Sequence, residues 1–427
     1  MKNKIEEIYN LFNSFPNINT DSRKTIDNSL FFALKGENFN GNKFAEIALK
    51  NGAEYAIIDE KKFKKNNRYI LVDNVLETLQ KLAEFHRNKF NIPVIAITGT
   101  NGKTTTKELI SKILSKKYNT IATPGNFNNH IGVPLSLLSI NKTTEIAIIE
   151  MGANHTKEII SLCKIAKPNY GLITNIGKAH LEGFKNIQGV IDTKNELYSY
   201  LYKNNGIAFV NKNNNILLNL SKNLKKIFYG TTDDCYCFGN TLEINPFLKI
   251  FYNNKKQIIQ SQLIGDYNLE NILSAICVGK YFKVDDKDII NAVEDYKPCN
   301  NRSQFVKTER NNIILDAYNA NPVSVKAAIN NFNLLRSDNK IVILGDMLEL
   351  GDESISEHKN IIDLLSKSGF KNVILIGEIF SSINTKFKTY KNTNIALQNL
   401  KNENISSADI LIKGSRKNYL EKLIKIL

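Results

Sequence analysis

An apolar run, Ile95-Ala96-Ile97, passes into Thr98-Gly99-Thr100-Asn101-Gly102-Lys103-Thr104, and that order suits a buried strand, a tight turn and a helix start. Glycines let backbone N–H groups close on an anion, and the positive end of the helix adds to the field. Lys103 is expected at the β- and γ-phosphates of ATP, with the Thr104 hydroxyl at Mg2+. The usual spacing has a glycine where Ile97 stands; here the first glycine is Gly99, so the loop is a shortened variant. A strand–turn–helix without a ligand is the competing reading, and Gly-Lys-Thr after a buried strand favours the nucleotide.

At about 150 residues per domain, the 427 residues suggest about three domains. In the first, residues 1–90, Leu30 to Leu34, Tyr55 to Ile58 and Tyr69 to Val72 read as strands. Phe44 to Leu49 and Val75 to Phe90 read as helical. The second, 91–297, opens with a strand over Ile92 to Thr98 and a helix from Thr104 to about Ser115. Strands over Glu145 to Ile149, Tyr170 to Thr174 and Gly206 to Val210 alternate with helical stretches. Ile227 to Leu263 reads as short strands and turns, and Asn268 to Phe282 as a helix. In the third, 298–427, four apolar runs end in polar or glycine residues: Ile313 to Asp316, Ile341 to Asp346, Val373 to Gly377 and Ile410 to Gly414. The expected fold class is therefore α/β: a small N-terminal α/β domain, a central P-loop ATPase-like, mostly parallel sheet, and a C-terminal Rossmann-like doubly wound sheet. Ligand groups belong at the carboxyl ends of the strands.

The chain is 42% hydrophobic and 23% charged, enough for ordinary globular cores. No apolar run reaches the roughly 18 residues of a membrane span. Met1 to Leu11 carries Glu6 and Glu7 and has no long apolar stretch, so it does not read as a secretory signal and the cytoplasm is expected. Cys163, Cys235, Cys237, Cys277 and Cys299 are odd in number and scattered; they read as ordinary thiols rather than a disulfide framework or a zinc site. The net charge of +15 raises the possibility of nucleic-acid binding. Lysines are spread along every domain, however, and a diffuse charge is not a binding stripe. No nucleic acid is expected, and a monomer is expected because no exposed apolar stripe stands out.

Three further residues could carry chemistry. Glu150 follows the apolar run Ile146 to Ile149 and is either a strand-end acid in solvent or an oxygen ligand for Mg2+. His180, in Gly177-Lys178-Ala179-His180, is either structural or functional. Lys194, in Asp192-Thr193-Lys194-Asn195-Glu196, begins a helix on this reading and on pattern alone is a surface lysine.

Taken with these, nine segments give the chain a family resemblance. They are Thr20-Asp21-Ser22-Arg23, Phe32-Ala33-Leu34-Lys35-Gly36, Ile97 to Thr105, Thr123-Pro124-Gly125-Asn126-Phe127-Asn128-Asn129, Glu150 to His155, Ala179 to Phe184, Asp316-Ala317-Tyr318-Asn319-Ala320-Asn321-Pro322, Leu344 to Gly351, and Lys413-Gly414-Ser415-Arg416. In order and spacing the chain resembles the Mur ligases almost end to end. The resemblance implies an ATP-dependent amide ligase that works through an acyl phosphate, with domain closure on binding. ATP would be held by Gly99, Thr100, Asn101, Gly102, Lys103, Thr104 and Thr105, with Asn268 and Asn271 near the adenine and Arg302 and Asp316 reaching in from the third domain. Thr104, Glu150, His180 and Lys194 would hold Mg2+, Lys194 as a carbamate, since a protonated amine cannot ligate a metal. Lys103, Lys194 and His180 would be the catalytic set.

Thr20, Ser22 and Arg23 match the segment that receives a uridine diphosphate. Thr123, Asn126 and Asn129 match one near the amino-acyl substrate, and Asn319 and Asn321 are assigned to substrate as well. The Asp-Asn-Pro-Arg motif of the preceding ligase in the pathway is absent, and Asp316 to Asn321 stands instead. That favours D-alanyl-D-alanine and a UDP-N-acetylmuramoyl-tripeptide as substrates. Many relatives have Pro-Gly-Arg before the third domain, where this chain has Asn300-Asn301-Arg302. Another Mur-type or a folylpolyglutamate-type ligase is the nearest alternative; Thr20 to Arg23 argues against the folate reading. A nucleic-acid-stimulated P-loop ATPase and a non-catalytic relative are the more distant ones.

Overall fold

The structure, a computed structural model, describes residues 2–24, 26–253, 257–299 and 301–427. Asn300 of the expected turn, and residues 254–256 of the stretch read as short strands and turns, lie outside the described residues. The chain forms two compact units, one of residues 1–96, 119–152 and 158–169, the other of 97–118, 153–157 and 170–427.

In the first unit, strands Asn17–Asn19, Ser29–Phe32, Ala53–Ile58 and Tyr69–Leu71 make a four-stranded sheet in that order, every neighbour parallel. Phe31, Ala45, Ala48, Ala56, Ile58 and Tyr69 form its core with the helix Ala45–Lys50. Asn74 opens the helix Val75–Arg87 by accepting from the Glu77 N–H at 2.8 Å. Val75, Leu79, Leu82 and His86 recur on one face of that helix and are buried. Elsewhere in the unit Thr120–Ala122 pairs in parallel with Ile146–Glu150. Glu150 is thus the last residue of its strand rather than the first after it.

Strand Val94–Thr98 carries the chain from the first unit into the second. There Tyr170–Ile173, Ile207–Asn211, Lys225–Gly230 and Cys237–Ile244 pair in parallel, as expected of the central region. Cys237–Ile244, Phe247–Tyr252 and Gln257–Ile264 then run as an antiparallel meander. This corrects the reading of short strands and turns: the outer strands have eight residues each. Polar residues such as Thr241, Lys249 and Gln260 resemble turn signals in sequence but alternate with buried Cys237, Leu248, Ile250 and Ile259.

The third region is a six-stranded sheet in the order Gln304–Lys307, Asn312–Asp316, Asp409–Lys413, Lys340–Gly345, Asn372–Ile376 and Lys388–Tyr390. Only the first strand is antiparallel to its neighbour. Separate apolar clusters, one around Phe332, Leu365 and Phe380 and another around Ile410, Leu420 and Leu423, cover its two faces, the doubly wound arrangement. The four apolar runs are its inner strands, and their carboxyl ends present Asp316, Gly345, Ile376 and Lys413. No helix of the described residues is long and apolar enough to cross a membrane.

Candidate functional site

The phosphate loop has the geometry its glycines predict. Gly99 has φ +141° and Gly102 φ +80°. A side chain at Gly99 would strike the Thr174 hydroxyl, and one at Gly102 the Asn271 carboxamide. Asn175, which sequence reading did not single out, holds the turn: its carbonyl accepts from the Thr100 N–H and its side-chain oxygen from the Asn101 N–H, both at 2.9 Å. The Thr174 hydroxyl donates to the Asn101 carbonyl at 2.6 Å. The helix Lys103–Leu114 starts at once, with Thr104 3% exposed in its first turn and Thr105 half-buried beside it. Lys103 Nζ donates to the carbonyls of Gly99 (2.8 Å) and Thr100 (2.9 Å), so its ammonium lies over the turn.

Asn268 and Asn271 open the helix Asn268–Tyr281, which packs on the phosphate-loop helix. Asn271 donates to Asn268 Oδ1 at 2.8 Å and accepts from the Thr106 hydroxyl at 3.1 Å; Asn268 donates to the Ile264 carbonyl. Asn271 therefore braces the head of the phosphate-loop helix, and Asn268 holds Asn271.

Glu150 is 1% exposed, which removes the solvent reading. Its Oε1 accepts from Asn128 Nδ2 at 2.8 Å, and its N–H donates to the Thr123 hydroxyl at 2.9 Å. Thr123 therefore fixes the strand end that carries the carboxylate. Asn126 is exposed, and Asn129 accepts from the N–H groups of Ile131 and Gly132 just ahead of the helix Gly132–Leu138. In the same unit Thr20 is half-buried and Ser22 is buried, its carbonyl accepting from Asn51. Arg23 is exposed; its guanidinium donates twice to the Asp21 carboxylate and its backbone N–H once, which holds that carboxyl down at about 2.

His180 has φ +51° and starts the short helix Leu181–Phe184. Its Nδ1 lies against the Glu349 carboxylate. Lys178 lies between Glu353 (2.8 Å) and Glu357 (2.9 Å). Lys194 is neither a surface residue nor a helix start. It sits midway along Ile187–Lys203, 2% exposed, with Nζ 5.5 Å from the Phe184 ring centroid. The helix starts earlier because Asn186 caps it, accepting from the Gly189 N–H at 3.0 Å. The His180 ring meets the same Phe184 edge-on at 6.3 Å, so one phenyl ring flanks both residues.

In the third region the Arg302 guanidinium lies 3.7 Å from the Tyr318 ring centroid and that of Arg416 5.6 Å from it, a cation–π stack. Lys413, buried, pairs with the Asp316 carboxylate and donates to the Asn319 carbonyl at 3.2 Å. Asn319 is exposed. Asn321 caps the helix Pro322–Leu334, and its amide donates to Asn101 Oδ1 at 2.8 Å, so the third region touches the phosphate loop. Tyr318, Lys413, Arg416 and Glu349 carry no role legible in the sequence; their long-range contacts reveal one.

Among the described residues no cluster of three or more His, Cys, Asp or Glu side chains could by itself enclose a metal. Mg2+ does not need one: it keeps several waters and is held by one or two carboxylates plus substrate phosphates. A buried carboxylate, Glu150, and a hydroxyl at the head of the phosphate-loop helix, Thr104, are donors of that hard type. An imidazole is a softer donor, and Lys194 contributes oxygen only as a carbamate.

Comparison with known proteins covers nearly the whole chain. The family models described as "Mur ligase family, catalytic domain", "Mur ligase middle domain" and "Mur ligase, glutamate ligase domain" match residues 15–87, 97–279 and 301–416. The UDP-N-acetylmuramoyl-tripeptide--D-alanyl-D-alanine ligase of Buchnera aphidicola is 36% identical, over 97% of this chain and 92% of the relative. The ligase of the same name from Bacillus subtilis is 34% identical, over 96% and 92%. A crystal structure of MurF from Acinetobacter baumannii superposes with a TM-score of 0.85 at 29% identity, covering 96% of this chain and 92% of that one. MurF ligase from Thermotoga maritima in complex with ADP gives 0.83 at 26% identity, covering 96% of each.

Proposed function

The chain belongs to the Mur ligase family, and we propose that it is a member that joins D-alanyl-D-alanine to UDP-N-acetylmuramoyl-tripeptide at the expense of ATP. It is a ligase of peptidoglycan precursor synthesis with the three-domain α/β architecture of that family. The observation that carries the reading is the amide pair between Asn101 and Asn321. It docks the Tyr318-Asn319-Ala320-Asn321 segment, which stands in place of the preceding ligase's motif, on the phosphate loop.

The chemistry must turn a carboxylate, a poor electrophile, into a good one. The terminal carboxylate of the tripeptide attacks the γ-phosphorus of ATP; the P–O bond to ADP breaks and an acyl phosphate forms. The amine of D-alanyl-D-alanine then attacks the acyl carbon, loses a proton, and inorganic phosphate leaves with the C–O bond electrons. Charge at the transferred phosphoryl group is met by the N–H groups of Gly99 to Thr104, by the helix N-terminus and by Lys103. The Lys103 ammonium exchanges the carbonyls of Gly99 and Thr100 for phosphate oxygens. Mg2+, when bound, would supply charge neutralisation at the phosphate oxygens. We assign Thr104, Glu150, His180 and a carbamylated Lys194 to holding it, with Asn128 donating to the Glu150 carboxylate and Thr123 fixing the Glu150 backbone. Arg302 and Asp316, already organised by Tyr318 and Lys413, are assigned to the nucleotide, and Thr20, Ser22 and Arg23 to the uridine diphosphate.

Substrates of this kind are made inside the cell, so we place the enzyme in the cytoplasm, working as a monomer. The test is phosphate release by purified protein with UDP-N-acetylmuramoyl-tripeptides and a panel of amines. Release is expected only with tripeptide and D-alanyl-D-alanine together. Phosphate release stimulated by DNA or RNA, and not by that pair, would refute the reading.

A further inference from the structure

Glu349 sits against His180, and the structure around it is built to hold it there. The loop from Asp346 to Leu350 follows the strand Lys340–Gly345, and nearly every residue is tied down. The Asp346 carboxylate accepts from the N–H groups of Ile379 (2.9 Å) and Phe380 (3.0 Å), and its carbonyl accepts from Asn418 at 2.9 Å. The Met347 N–H donates to Nε2 of the fully buried His358 at 3.0 Å, and the Leu348 N–H to the Ser415 hydroxyl at 3.2 Å. Glu349 itself is in the left-handed region, φ +63°, a strained choice for a non-glycine residue that surrounding contacts must hold in place. Its carboxylate meets His180 Nδ1. Beside it, Lys178 bridges Glu353 and Glu357 and joins the same two surfaces.

We propose that Glu349 is a positioning residue: it accepts the Nδ1–H of His180, fixes the imidazole in that tautomer and orientation, and leaves Nε2 as the electron-pair nitrogen. A carboxylate behind an active-site histidine selects which ring nitrogen carries the proton. Losing such a partner typically costs about 10- to 100-fold in activity or metal affinity. The Glu349 side chain is 52% exposed and that of His180 23%, so solvent weakens the pair and the lower end applies. The inference rests on the role given to His180 above.

The test combines a spectrum with kinetics. The chain has five histidines, so 15N-histidine labelling gives few signals, and the His180 pair is the one missing in His180→Gln. At mildly alkaline pH the wild type should show His180 protonated at Nδ1. Glu349→Ala should shift it toward Nε2–H and lower kcat/KM about tenfold, with no further loss when added to His180→Gln. Glu349→Gln, whose amide oxygen still accepts, should keep the tautomer in part and guards against a folding defect in the alanine variant. Lys178→Ala, which loosens the same contact surface, should leave the His180 tautomer unchanged. An unchanged tautomer in Glu349→Ala overturns the inference even if His180→Gln is inactive, as does a shifted tautomer with unchanged kcat/KM. Full activity of His180→Gln would instead remove the role of His180 itself.

Discussion

Gly102→Ala puts the phosphate loop to a quantitative test. An L-residue forced to φ +80° costs about 1–2 kcal/mol relative to glycine. The added Cβ also falls on the Asn271 carboxamide, with Cγ and Nδ2 both at 3.1 Å and Oδ1 nearer still. That carboxamide has to swing away, and it then loses two buried hydrogen bonds, from Thr106 and to Asn268. At about 1 kcal/mol each, the whole perturbation comes to about 3–4 kcal/mol. The variant can avoid it only by moving the loop or the head of the helix Asn268–Tyr281. Either escape spoils the N–H cradle, so part of the cost reappears as lost nucleotide affinity. At 1.4 kcal/mol per decade, ADP binding should weaken about 10- to 100-fold. Gly369→Ala is the control: its φ is +76°, but no atom lies within 4 Å of the new Cβ, so only the backbone penalty applies. Titration of both variants with ADP, alongside thermal melts, reads the two effects apart. Wild-type ADP affinity in Gly102→Ala, with a melting shift no larger than that of Gly369→Ala, would refute the reasoning.

Lys194→Ala should lower kcat by about 10²–10³, the usual cost of removing one fixed electrostatic group; excess bicarbonate should not restore it, and full activity would contradict the carbamate. Asn101→Ala and Asn321→Ala should show a coupling of about 1 kcal/mol in kcat/KM on a double-mutant cycle, because each amide loses the same partner; strictly additive losses would mean the contact is idle. Arg23 holds the Asp21 carboxyl down at about 2, so the pairing is complete above the ordinary aspartate range and is lost as pH falls toward 2. In Arg23→Ala the Asp21 titration followed by NMR should move back up toward the ordinary value, and an unmoved midpoint would exclude the contact in solution.

The sequence showed most clearly what is local. Apolar runs ending in glycine or aspartate became the inner strands of the third region, and the Gly-Lys-Thr turn became the head of a helix. Its edge strands Gln304–Lys307 and Lys388–Tyr390 are not legible in the sequence because, at four and three residues, they are too short to show a period. Glu150 and Lys194 were ambiguous for a different reason. Pattern reports which side chains are apolar, and neither a buried carboxylate nor a buried lysine stem leaves a mark in periodicity. Lys194 lies mid-helix because Asn186 caps the helix eight residues earlier. The Glu349 and Asn175 contacts join residues far apart in the chain, and nothing in either neighbourhood names the other.

The phosphate-loop helix also sets an order of events during synthesis. Residues 97–118 belong to the second compact unit, nearly all the rest of which begins at residue 170. The helix Lys103–Leu114 buries Leu109, Ile110, Ile113 and Leu114 and packs against Asn268–Tyr281, a segment translated much later. With the ribosome adding about 5–20 residues per second, that apolar face waits on the order of ten seconds or more for its cover. The phosphate-loop helix therefore cannot gain its brace from Asn271 until the chain has grown past that residue.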